Sequence, residues 1–84
     1  MKKSELEKKY NFKYININFA EGYPSGKGLF YECQKCKDII DSNVDDNIEC
    51  ECGNIFVDVS SARFCVENDK LISLIKILPK NKNR

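Results

Sequence analysis

An 84-residue chain allows one domain with a small core, and domains of this size commonly need a staple beyond apolar burial. The chain has no histidine, which removes the commonest general base, proton shuttle and nitrogen ligand and argues against an enzyme. The net charge of +1 conceals a segregation: residues 1–31 hold six basic and three acidic side chains, residues 32–58 two basic and eight acidic, and residues 59–84 six basic and two acidic. No apolar run approaches the ~20 residues of a membrane span, and Met1-Lys2-Lys3-Ser4-Glu5 leads into charge rather than an apolar signal core, so a cytoplasmic location is expected.

In chain order, Ser4-Glu5-Leu6-Glu7 fits a capping box at the start of a helix of one or two turns, with Lys8 and Lys9 at its far end. Residues 12–20 alternate Ile15, Ile17 and Phe19 with Asn16 and Asn18, which predicts a half-buried strand. Residues 21–28 collect Gly22, Pro24, Gly26 and Gly28 and read as a hairpin loop. A phosphate loop at Gly26-Lys27 is excluded by its short spacing, by Gly28 in place of Ser or Thr, and by the lack of a following helix signal.

Leu29-Phe30-Tyr31-Glu32 predicts a short strand, with Ile39 and Ile40 returning beside it. Residues 41–47 are polar and turn-rich, and without the glycine of a calcium loop their aspartates read as an acidic loop. Two further β runs follow, at residues 55–59 and 63–66, and then a hairpin-like turn at residues 67–70. Residues 71–78 satisfy both the helical and the strand period, and their isoleucines favour strand. Pro79 and a basic tail close the chain. The expectation is a mainly β fold of five or six strands with a short N-terminal helix in a single domain: helix and first strand in residues 1–28, a ribbon core in 29–58, C-terminal strands in 59–78 and a frayed tail in 79–84.

The chemistry is concentrated in Cys33-Gln34-Lys35-Cys36 and Cys50-Glu51-Cys52-Gly53. Paired cysteines approaching from two turns suit a tetrahedral zinc ribbon, with Cys33, Cys36, Cys50 and Cys52 as ligands and Zn2+ as the structural staple. The second pair is one residue short of the usual spacing, and core thiols or a disulfide are the alternatives. Cys65, between Phe64 and Val66, is expected to be a buried core thiol. Four thiolates on one Zn2+ add −2 to the −6 of residues 32–58, making that region about −8 when loaded.

The stretch from Tyr31 to Val66, with its C-x-x-C, its Cys50-Glu51-Cys52-Gly53-Asn54-Ile55 motif, Asp58 and Arg63, resembles zinc-ribbon-like immunity proteins of bacterial polymorphic and contact-dependent toxin systems. That resemblance implies a protein that covers the active site of a cognate toxin. Many such toxins are nucleases with basic grooves, and an acidic face would be steered onto one. The candidate contacts are Asp38, Asp41, Asp45, Asp46, Glu49, Glu51 and Asp58, the last alternatively pairing with Arg63 across strands. Their plainer reading is a solvated acidic surface. A nucleic-acid-binding ribbon is the second expectation, should the basic ends of the chain meet around Tyr10, Phe12 and Tyr14. An enzyme is the least favoured, since four cysteines close the coordination shell.

Overall fold

A computed structural model describes residues 1–16, 18–19, 22–61 and 63–78. It is mainly β: one short helix, α1 (Lys3–Lys9), precedes strands β1 (Asn11–Ile15), β2 (Leu29–Cys33), β3 (Ile39–Asp41), β4 (Ile48–Glu49), β5 (Ile55–Asp58), β6 (Arg63–Val66) and β7 (Ile72–Leu78). They form two antiparallel sheets, one ordered β1-β7-β2-β3 and a smaller one ordered β4-β5-β6. The described residues therefore include seven strands rather than five or six. The two-residue β4, which adds to the runs read from the sequence, accounts for the excess.

The larger sheet is buried on both faces. Tyr31, Cys33, Ile40, Ile72 and Leu74 pack against Ile55 and Val57 of the smaller sheet. On the opposite face Phe30, Ile39 and Ile75 pack with Leu6 of α1. Strand period two sends alternate residues of β7 to the two faces, so both sets are apolar. This explains why residues 71–78 read equally well as helix or strand. The stretch is a strand, and Asp69–Leu71 before it makes one 3-10 turn whose start is capped by the Asn68 side chain, its Oδ1 accepting from Lys70 N–H at 3.0 Å.

Four local expectations are corrected. The helix starts two residues earlier than the Ser4 box implies: Lys2 is the capping position, and Glu5 rather than Glu7 reaches back to its backbone N–H, at 3.1 Å. The first strand ends at Ile15, because the chain then leaves the sheet and Phe19 stacks on Tyr23 with ring centroids 5.5 Å apart; Ile17, Ala20 and Glu21 lie outside the described residues. Residues 22–28 are no hairpin loop, since β7 lies between β1 and β2 and the connection must cross over it. The turn before β7 likewise joins two different sheets. Aromatic contacts hold the crossover down: Tyr23 and Tyr31 both meet Phe64 of β6, at 5.3 and 4.4 Å between centroids, and the Tyr31 hydroxyl donates to the Pro24 carbonyl. Residues 79–84 lie outside the described residues.

Candidate metal centre

The two cysteine pairs sit where the two sheets meet. Cys33 ends β2 and Cys36 follows in the turn toward β3; Cys50 follows β4, and Cys52 lies in the turn that opens β5. Each turn closes on a backbone hydrogen bond to its first cysteine, Lys37 N–H to Cys33 carbonyl at 2.8 Å and Gly53 N–H to Cys50 carbonyl at 2.9 Å. The residue after each pair is left-handed, Lys37 at φ 66° and Gly53 at φ 83°. The missing residue of C-x-C is thus absorbed by a tighter turn of the same hand. Glycine adopts that conformation without penalty, whereas Lys37 carries a cost of about 1–2 kcal/mol.

The four sulfurs lie within 4.8 Å of one another, close enough to hold a metal ion. Cys33 and Cys52 Sγ are 3.5 Å apart, and Cys50 and Cys52 Sγ 3.8 Å. A tetrahedron with ~2.3 Å arms to sulfur has edges of ~3.8 Å, so the cluster fits a Zn2+-sized ion bound by four thiolates. Donors aimed at the sulfurs support the charged form: Ile55 N–H reaches Cys50 Sγ at 3.3 Å, and the amide of buried Asn54 reaches Cys33 Sγ at 3.8 Å. Asn54 also ties β5 to the turn before β7, accepting from Asn68 N–H at 2.7 Å and donating to the Asn68 carbonyl at 3.2 Å.

Proton affinities across the cluster are uneven. Burial works to raise the Cys36 thiol, but the backbone of Asp38 and of Cys52 and the Cys52 and Cys33 side chains outweigh it and bring Cys36 down to about 7. Burial pushes the Cys50 thiol up. At Cys52 the Asn54 backbone favours the thiolate, yet desolvation and the facing Cys33, Cys36 and Cys50 sulfurs push it up to about 12. Filling the site with a divalent ion therefore displaces protons, and metal binding is linked to pH.

The N-terminal segment closes over both turns, which the sequence did not suggest. Met1 carbonyl accepts from Ile39 N–H at 2.6 Å, and the Met1 ammonium lies 2.7 Å from Asp38 Oδ1. The second Asp38 oxygen accepts from Glu51 N–H at 3.1 Å, so this carboxylate joins the two cysteine turns. Burial opposes its charge, but the ammonium, the Glu51 amide and Lys2 hold Asp38 below the usual carboxylate range. Lys2 Nζ reaches Glu51 Oε2 at 3.1 Å and the Cys36 carbonyl at 3.3 Å. The only available signal was charge, a lysine-rich start beside an acidic ribbon, and many arrangements would satisfy it.

The remaining acidic candidates fall elsewhere. Asp45 and Asp46 are exposed in the loop between β3 and β4, and Glu49 is exposed on the outer side of the smaller sheet. Asp41, half-buried on β3, accepts from Asn43 N–H at 2.9 Å. Asp58 faces Arg63 in the β5–β6 register, but its Oδ1 accepts from the Ser60 hydroxyl at 2.8 Å and Ser61 N–H at 3.3 Å and so caps the turn. Those Ser60 and Ser61 bonds lower its pKa more than Arg63 does.

Cys65 is exposed, contrary to expectation. On β6 the inward positions are Phe64 and Val66, so the residue between them points out, opposite Phe56. Tyr10, Phe12 and Tyr14 do come together, with Lys3, around a cleft of about 440 Å³. Glu7 also lines it and Glu32 takes the Tyr14 hydroxyl at 2.8 Å, which offsets the lysine that a phosphate chain would seek.

No described helix is long and apolar enough to cross a membrane. No curated protein and no solved structure matches the chain. One family model does, described as a domain of unknown function, DUF7695, over residues 30–64, a stretch that runs from β2 into β6 and contains all four clustered cysteines.

Proposed function

We propose that the chain is a non-enzymatic, zinc-stapled binding module that blocks a basic protein partner, a cognate bacterial toxin of nuclease type, through the acidic end of its smaller sheet. One observation carries this reading. Asp45, Asp46 and Glu49 are exposed and enter neither of the two ion pairs found among the described residues, whereas Asp38 and Glu51 are engaged by the N-terminal segment. The binding surface thus reduces to Asp45, Asp46 and Glu49, with Asp58 at its border. Asp45, Asp46 and Asp58 lie toward the end of β4 and β5 away from the cysteines, and Glu49, just before Cys50, faces outward on the same sheet, so the metal acts as a scaffold. Four sulfur donors fill a tetrahedral shell and leave no position for substrate, which supports binding over catalysis. The toxin part of the reading rests on the Cys50-to-Ile55 motif resemblance.

The test is association kinetics with a purified basic toxin domain of nuclease type. Reversing Asp45 and Asp46 to lysine is expected to slow association by about tenfold at low salt and to flatten its salt dependence, because rim charges act on encounter. Unchanged association would end the acidic-surface reading.

A further inference from the structure

We propose that Lys2 is a positioning cation of the metal centre, an outer-sphere residue that favours the metal-loaded state. The inference rests on the four-cysteine site holding a divalent ion. Lys2 Nζ contacts both cysteine turns at once, through the carbonyl of the ligand Cys36 at 3.3 Å and through the carboxylate of Glu51, between the ligands Cys50 and Cys52, at 3.1 Å.

Its place is built into the fold. Leu6 is fully buried between Phe30, Ile39 and Ile75, Glu5 holds the Lys2 backbone N–H, and Met1 pairs with Ile39 beside the first turn. Loading converts thiols to thiolates and leaves a centre with net charge −2, within a segment already rich in carboxylates. A cation fixed across the two turns stabilises that charge and holds the turns at the separation the ion requires. The Lys2 side chain keeps 49% of its exposure, so its effect is moderate and screened by salt.

The experiment titrates the full chain with Zn2+ alone against a chromophoric chelator, at low salt and at 1 M salt. Lys2→Met is expected to weaken Zn2+ binding by about fivefold at low salt, and Lys2→Arg to stay near wild type. At 1 M salt, where screening acts within ~3 Å, the gap between wild type and Lys2→Met should close. Equal affinities at low salt, or a gap that salt leaves unchanged, would overturn the proposal, since lost packing alone does not respond to screening. A wild-type chain that takes up no Zn2+ would instead refute the metal reading beneath it.

Discussion

The two faces of the larger sheet are covered by unlike means. On one, the smaller sheet, whose strands are two to four residues long, lies over Tyr31, Cys33, Ile40, Ile72 and Leu74, with four sulfurs at the junction. On the other, a seven-residue helix sends in a single buried leucine and is tied at its start to the cysteine turns. Neither cover is self-sufficient: strands this short do not persist alone in water, nor does a helix of two turns. The covers differ in kind: the smaller sheet adds to its apolar contacts a four-cysteine cluster able to hold a metal, whereas the helix relies on one buried leucine. Because Lys2 reaches from the start of the helix to both cysteine turns, and Asp38 beside the first turn holds the Met1 ammonium and the Glu51 N–H, the covers are joined at one corner.

The comparison is challenged most strongly by removing the metal. Chelation, or Cys50→Ser, is expected to remove on the order of 10 kcal/mol from the loaded protein. Amide exchange should then accelerate throughout the smaller sheet; protection there that survives chelation would mean apolar packing holds both covers. Acid acts in the same direction. Loading requires four thiolates, and Cys50 and Cys52 hold their protons above the ordinary thiol range when empty, so apparent Zn2+ affinity should fall by at least about two decades per unit of pH on going from 8 to 7. Below about 7 Cys36 takes up a proton too, and the fall steepens. A slope under one decade would contradict this picture of the empty site.

The helix side is probed by Leu6→Ala, expected to cost about 2–5 kcal/mol in denaturant unfolding of the zinc-loaded chain, with one Zn2+ still bound. A cost under about 1 kcal/mol would mean that α1 contributes little to this face. The smallest effect is expected at Cys65. Cys65→Ser should change stability by no more than about 0.5 kcal/mol. In the loaded wild type a thiol reagent should modify this exposed residue first, while the four clustered cysteines resist until chelation. Slow modification of Cys65 would place another surface over β6.

Much of the ribbon was legible because its signals are local. Cys33 and Cys36 share a turn, Cys50 and Cys52 share another, and alternation in residues 55–57 marks a strand with one buried face. Local signals misled where one element faces two partners or none. Phe64 and Val66 made Cys65 look buried because apolar neighbours were counted without the alternation that turns every second side chain outward. Glycine and proline in residues 22–28 marked a loop correctly, but a loop's composition does not reveal whether the strands it joins are adjacent.

By itself the sequence determined the mainly β character, the short N-terminal helix and the four residues able to bind a metal, because period, turn chemistry and cysteine spacing all act over a few residues. Tertiary structure alone decided that β7 inserts between β1 and β2, that Asp38 and Glu51 are engaged within the chain, and that Lys2 bridges the two cysteine turns. Those outcomes depend on contacts between residues 34 to 67 positions apart, which no window of local sequence contains.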